Sequence, residues 1–262
     1  MRDVQNERDS RNIPIDRVGV KDLSYPISVL DPAEKVQHTV ATLSMSVSLP
    51  KEYRGTHMSR FIEVLDEFKE KLTIASMEHM TERLRESLDA DTAEIAASFP
   101  YFISRSAPAT GIASLSRCEV TFNATKGEDF FDLRTTVAVP VQTLCPCSRE
   151  ISDRGAHNQR GCVRISARMK GIVWIEELVD IAESSASAPV YTLLKREDEK
   201  TVTEMAYDNP RFVEDVLREA VVRLQEEPRI LWYRVDVVSH ESIHNHDAFA
   251  SVERSKNGWK TT

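Results

Sequence analysis

Residues 41–49 read ATLSMSVSL, and their alternation decides the fold class. Ala41, Leu43, Met45, Val47 and Leu49 fall on one side of an extended chain, and Thr42, Ser44, Ser46 and Ser48 on the other. A period of two with one polar face is the signature of a half-exposed antiparallel strand. Working outward, strands are predicted near 92–105, 117–124, 131–141, 162–169 and 230–239; in 162–169, Val163, Ile165, Ala167 and Met169 alternate with polar residues. Helical spacing falls between them. In 57–72, Met58, Phe61, Ile62, Leu65 and Phe68 recur at three- and four-residue steps. Further helices are predicted over 77–90 and 173–186, and the clearest over 209–226. There Asn209 is placed to cap, Pro210 fits the first helical position, and Phe212, Val213, Val216, Leu217, Ala220, Val221 and Leu224 form the apolar stripe. The order predicts an α+β fold of two antiparallel-sheet modules, each with helices packed on one face. A polar tail and lead-in would occupy 1–25, the first module 26–142 and the second 143–262, with no internal repeat.

The 262 residues suffice to bury a sizeable core, and a composition of 41% hydrophobic and 29% charged residues is ordinary for a soluble protein. No run of eighteen apolar residues is present, so no transmembrane helix and no membrane partner are expected. The opening MRDVQNERDSRN has no apolar core and does not read as a signal peptide, which points to the cytoplasm. A net charge of −8 argues against a general nucleic-acid surface, though a few local cations suffice for a nucleotide triphosphate. The eight glycines form neither a Walker nor a dinucleotide-binding pattern.

The chemistry concentrates in Thr143–Gly161, TLCPCSREISDRGAHNQRG. Four cysteines in such a chain suggest metal binding or catalysis rather than disulfides. Cys118 and Cys162 fall at strand positions and read as core filler. Cys145 and Cys147 would share one face of an extended segment stiffened by Pro146, with His157 following a turn at Gly155. A thiolate and an imidazole are good donors for a first-row transition metal but fill half of a tetrahedral shell. A carboxylate or second imidazole could come from KREDEK at 195–200 or from ESIHNHD at 241–247. On residues alone KREDEK is an ordinary solvated charge run, and nothing in it separates Glu197, Asp198 and Glu199. Glu241, His244 and His246 follow a strand end, a common place for acid/base groups. Glu214 lies at the edge of the 209–226 stripe, where a solvated flank carboxylate is the plain reading. His57, Ser59 and Arg60 open the first helix, a fit for an anion, with Met58 and Phe61 between them as core. Arg105 and Arg160 are weaker cationic candidates.

LCPCSREIS, GAHNQRG, KREDEK, YDNPRFVED and ESIHNHDAFA, with GTHMSRF at 55–61 and VGVKDLSYPI at 18–27, resemble in order the prokaryotic type IB GTP cyclohydrolases. The resemblance runs from about residue 10 to residue 250. It implies the tunnelling fold, in which sheets from several subunits close into a barrel with active sites at subunit interfaces, here as a homo-oligomer and by resemblance a homotetramer. It implies conversion of GTP and water to 7,8-dihydroneopterin triphosphate and formate, as in folate-type pterin synthesis. It implies one divalent transition metal (Zn, Mn or Fe) on Cys145, His157 and Glu199, with a position left for water. Cys147, Glu241 and His244 would then transfer protons, Glu214 would anchor the guanine, and His57, Ser59 and Arg60 would take the triphosphate. Cys147 in place of Cys145 as the ligand stays open. So do an archaeal-type cyclohydrolase giving a cyclic phosphate, a tunnelling-fold nitrile reductase with a nucleophilic cysteine, and a non-catalytic module with a closed structural metal site.

Overall fold

A computed structural model of the chain describes residues 5, 7–68 and 74–256. The elements in chain order are β1 (Ile15–Asp31), β2 (Lys35–Leu49), α1 (Met58–Phe68), α2 (Ile74–Ser87), β3 (Ala93–Ser106), β4 (Ala113–Lys126), β5 (Phe131–Leu144), α3 (Pro146–Ile151), β6 (Asn158–Met169), α4 (Ile175–Ser185), β7 (Ala188–Pro189), α5 (Arg196–Asp208), α6 (Val213–Glu226), β8 (Ile230–Ser239) and β9 (Ala248–Ser255). The chain divides into two compact units, Met1–Pro100 with Thr121–Thr135, and Tyr101–Val120 with Thr136–Thr262. Among the described residues no helix is long and apolar enough to cross a membrane.

In the first unit the strand order is β1-β2-β3-β4-β5. The alternation of 41–49 is realised as predicted: Ala41, Leu43, Met45, Val47 and Leu49 are buried, and the intervening serines are partly exposed. β2 pairs antiparallel with β3 from Thr42↔Ser98 to Val47↔Ala93. Phe99 and Phe122 meet edge-to-face with ring centroids 5.3 Å apart. α1 and α2 pack together and contribute Phe61, Val64, Leu65, Met77, Met80 and Leu84 to this core. Met58 and Ile62, placed by spacing on the apolar stripe, are each 43% exposed, and Val64 takes the inward position instead. Of the predicted helix 57–72, residues 69–72 lie outside the described set. β1 begins within the stretch read as a tail. Its pairing with β2 shifts register between Val20 and Leu23, around Asp22 at φ 58°. Gly19 passes so close to β2 that a Cβ there would run into the Met45 carbonyl.

In the second unit the order is β3-β4-β5-β6-β8-β9, with β7 paired to β5. β6 and β8 pair antiparallel from Gly161↔Ser239 inward, and β8 pairs antiparallel with β9. α4 and α6 lie on this sheet, burying Leu178, Val179, Ala182, Val216, Ala220 and Leu224 against a core that includes Val163, Ile165, Ala167, Val235 and Val237. The helix predicted from Asn209 starts later. Asn209 is the C-cap of α5, its N–H donating to Met205 O at 3.2 Å. Phe212 caps α6, with its N–H held by Asp215 Oδ2 at 3.0 Å. Phe212 is accordingly 40% exposed rather than part of the stripe.

α5 sets Asp198 apart from the other two acids of KREDEK. Asp198 is fully buried, while Glu197 and Glu199 are exposed. The Asp198 carboxylate accepts from Ala109 N–H (2.9 Å), Thr110 N–H (2.8 Å), the Thr110 hydroxyl (2.9 Å) and Lys195 N–H (2.9 Å). It thereby caps α5 and pins the turn between β3 and β4. Burial pushes its pKa up, but the donors from Lys195, Thr110 and Ala109 outweigh that and hold it at about 2. A carboxyl depressed on folding contributes stability above its unfolded pKa and loses it as pH falls toward the folded value. Asp198→Ala should therefore lower Tm at neutral pH, with the difference from the unsubstituted protein shrinking as pH falls from about 4 toward 2. Differential scanning calorimetry across that range checks it: a pH-independent difference would mean that the charge is not what holds the turn.

Candidate metal and substrate site

The 145–157 loop connects the end of β5 to the start of β6. The Cys145–Pro146–Cys147 segment is not extended, as its sequence suggested, but opens α3. Pro146 takes the first helical position, where its missing N–H costs nothing, and Cys145 is the N-cap, its Sγ accepting from Ser148 N–H at 3.5 Å. Cys147 therefore sits within the first turn and is exposed, whereas Cys145 is half-buried. Gly155 turns the chain at φ 117°. Cys145 N–H then donates to His157 O at 3.1 Å. The Ser148 hydroxyl donates to Cys145 O at 3.1 Å and accepts from His157 N–H at 3.2 Å. The two candidate donors named from the sequence are thus fastened together through backbone and one serine.

His157 Nδ1 lies 2.9 Å from Gln159 Oε1 and 3.3 Å from Ser242 Oγ. Gln159 Nε2 donates to Thr143 Oγ1 at 3.1 Å, and Thr143 Oγ1 is 3.1 Å from Ser239 Oγ. The segment after β8 is therefore drawn against the loop: His240 N–H donates to Arg160 O at 2.9 Å, and Ser242 reaches the histidine ring. Within this segment His240 Nδ1 is 2.9 Å from Asp247 Oδ2, and the rings of His244 and His246 stack at 5.2 Å. Glu241 is half-buried and His244 exposed. Gln159, Ser242, Thr143 and Ser239 were not singled out from the sequence. A signal existed for Gln159, which stands two residues beyond His157 at the start of β6 and so on the same side of an extended chain.

Two further contacts tie helices to the loop. The Arg149 guanidinium lies over the Tyr207 ring at 4.7 Å, joining α3 to α5. Arg211 N–H donates to Leu144 O at 3.0 Å, fixing the lead-in to α6 against the end of β5. Glu199 and Glu214 stand exposed in the first turns of α5 and α6. Among the described residues no three His, Cys, Asp or Glu side chains gather closely enough to hold a metal ion. One chain thus joins Cys145 to His157 without bringing Glu199 into a set with them.

His57 and Arg60 belong to the first unit, where they line a recess of about 240 Å³ with Thr56, Leu88 and Asp89. Arg60 Nη1 donates to Ser87 O at 2.7 Å, and Ser59 is exposed. Arg105 is engaged by Asp180 at 2.5 Å and Glu183 at 2.8 Å, so it is occupied within the second unit. The thiol of Cys118 is pushed up to about 12, chiefly by burial and further by Glu119, and burial also raises that of Cys162. Cys118 is buried as its core reading expected, whereas Cys162 is half-buried, on the face of β6 opposite Val163 and Ile165.

The fold is also found in the crystal structure of uricase from Arthrobacter globiformis, with a TM-score of 0.58 over 94% of this chain and 96% of that one at 6% identity. That likeness speaks to the tunnelling-type fold alone. The sequence is 56% identical over 256 residues to GTP cyclohydrolase FolE2 of Kosmotoga olearia, covering 98% of this chain and 99% of the relative. It is 51% identical over 256 residues to GTP cyclohydrolase FolE2 of Geotalea uraniireducens, covering 98% and 94%. The family model described as type I GTP cyclohydrolase folE2 matches residues 1–250, from the polar lead-in through the Cys145–His157 loop to the segment bearing Glu241 and His244, and the chain belongs to that family.

Proposed function

We propose that this chain catalyses the conversion of GTP and water to 7,8-dihydroneopterin triphosphate and formate, using one divalent transition metal (Zn, Mn or Fe). The observation that carries the reading is the family match over residues 1–250 falling on a loop that fastens Cys145 to His157. Cys145, His157 and Glu199 would hold the ion. The donor set fits: one soft thiolate, one imidazole whose Nδ1 is already engaged by Gln159 and Ser242, and one exposed carboxylate. Bound there, such an ion supplies an acidified water at neutral pH.

The remaining roles fall to the chain's own groups. Glu214, exposed at the first turn of α6, would accept from N1–H and the 2-amino group of guanine. Adenine has neither donor and would leave the carboxylate unpaired in the complex. Cys147, Glu241 and His244 would move protons to and from the purine nitrogens as the five-membered ring opens. His57, Ser59 and Arg60 would hold the triphosphate at the start of α1. Cys147, Glu199, Glu214 and His244 are all exposed on one chain. A site completed by a second copy in a homo-oligomer, by family resemblance a homotetramer, accounts for that exposure and for the missing third donor.

Cys145→Ala and His157→Ala should each lose bound metal and activity while circular dichroism stays unchanged; full metal occupancy by elemental analysis in both would defeat the ligand assignment. Glu214→Gln should reduce kcat/KM for GTP by about 2–4 kcal/mol in transition-state terms, as an amide cannot accept both guanine donors. Unaltered kinetics would return Glu214 to an ordinary solvated flank. Cys147→Ala, Glu241→Ala and His244→Ala should keep the metal yet lower kcat by about 10²–10⁴-fold, read from formate release. A variant in this set that loses its metal is a ligand instead.

A further inference from the structure

We propose that Gln159 is the residue that sets the tautomer of His157 and so makes it a metal ligand; this rests on the reading of His157 as a ligand given above. A neutral imidazole carries its proton on one nitrogen and a lone pair on the other. Only the form with the proton on Nδ1 leaves Nε2 free to bind a metal ion. Gln159 Oε1, 2.9 Å from Nδ1, stabilises that form by accepting its proton in a hydrogen bond. The Ser242 hydroxyl is a second, longer neighbour at 3.3 Å.

The orientation of the Gln159 amide is itself held. Gln159 is only 8% exposed, and its Nε2 donates to Thr143 Oγ1 at 3.1 Å. Thr143 and Ser239 are buried as well, with their hydroxyls 3.1 Å apart. The line Ser239–Thr143–Gln159–His157 therefore spans the end of β8, the end of β5, the start of β6 and the loop. Residues Gly161 and Ser239 face each other across the β6–β8 ladder, and a Cβ at Gly161 would come within 2.8 Å of Val238 O, so the strands at this end are closely apposed. With the Thr143 hydroxyl donating to Ser239, its oxygen accepts from the Gln159 amide nitrogen, and this direction of the line leaves the Gln159 oxygen on the imidazole. Gln159 is thus a positioning residue, acting through the histidine and touching neither metal nor substrate.

The test uses the full-length metal-free protein and Co(II) as probe, with dissociation constants from chelator competition and folding followed by circular dichroism. Gln159→Leu keeps the volume but removes the acceptor, and should weaken Co(II) binding about 10–100-fold, the usual effect of losing a partner behind a ligating histidine. Gln159→Glu supplies a stronger acceptor at the same place, with the Thr143 hydroxyl turned to donate, and should bind Co(II) at least as tightly as the unsubstituted protein. Residues that merely pack would give the reverse order, because a buried carboxylate disturbs packing more than leucine does. Binding by the Leu variant equal to the unsubstituted protein, or a Glu variant as weak as the Leu variant, overturns the inference. If the Leu variant does not fold, the Glu variant decides alone: unchanged or tighter binding supports the assignment, and weaker binding overturns it. His157→Ala in the same titration keeps the two claims apart, since undiminished Co(II) binding there removes the ligand reading itself, whereas its loss together with normal binding by Gln159→Leu removes only the role of Gln159.

Discussion

The hydrogen bond from Cys145 N–H to the His157 carbonyl is the constraint on which the candidate site depends. It closes the loop between β5 and β6 at its base, so that a segment containing a helix, a glycine turn and two potential ligands begins and ends at one place. Closing a loop of this size costs conformational entropy that grows only slowly with length. Here strand pairing and α3 bear that cost before any ligand arrives. Each part of the closure has a local cause: Pro146 is pre-shaped for the first helical position, Cys145 caps the helix, and Ser148 bonds to both ends of the loop. As the proposed ligands, a thiol that caps a helix and an imidazole engaged by Gln159 and Ser242 would have little freedom to lose on binding a metal, which is the sense in which this site is preorganised.

Around that closure, the second unit uses buried polar groups to hold its helices. Asp198 spends its carboxylate entirely on the start of α5 and the β3–β4 turn, which leaves Glu199, the next residue, exposed in the first helical turn. Asn209 ends α5 and reaches back to Ala186 O at 2.9 Å, while Arg211 N–H is tied to Leu144 O. The short passage between α5 and α6 is therefore anchored at both ends, and Glu214 follows from it with a fixed starting point. The acids that look alike in the sequence have opposite duties: one secures the scaffold, and its neighbour is presented by it.

The fold was legible where one face of an element is buried and the other is not. The 41–49 alternation and the 230–239 strand appear where predicted, because period two survives any tertiary context that covers one face. Legibility failed where few apolar residues are needed. α5 buries only Asp198, Val202 and Ala206, so its stretch reads as a charge run. Asn209 and Pro210 carry a start signal by residue type, but an asparagine serves equally well as a C-cap, and its neighbours decide. Pro146 posed the same two-way choice between stiffening an extended chain and starting a helix, and the availability of Cys145 as a cap settled it. Of the site, residue chemistry marked the 143–161 loop, and the resemblance picked Cys145 and His157 from it; the structure joins their backbones. The hydrogen-bond line behind them could not be read, because Thr143 and Ser239 are unremarkable until the register of β5, β6 and β8 brings them together.

The exposure of the proposed catalytic groups follows from the same physics. A carboxylate proposed to bind guanine and another proposed to bind a cation could not be buried in the isolated chain without partners, since an unpaired buried charge costs several kcal/mol. Had Glu199 and Glu214 been buried, they would have needed local donors, as Asp198 has, and those donors would compete with metal or substrate. Leaving them at exposed first turns of helices held by buried neighbours keeps the position fixed and the charge unspent. The complementary charge would then arrive with the metal, the purine or a second copy of the chain, and desolvation would occur at the moment when pairing compensates it. On this reading the gap left by the third donor in a single chain is a consequence of building the site from groups that must remain unsatisfied until assembly.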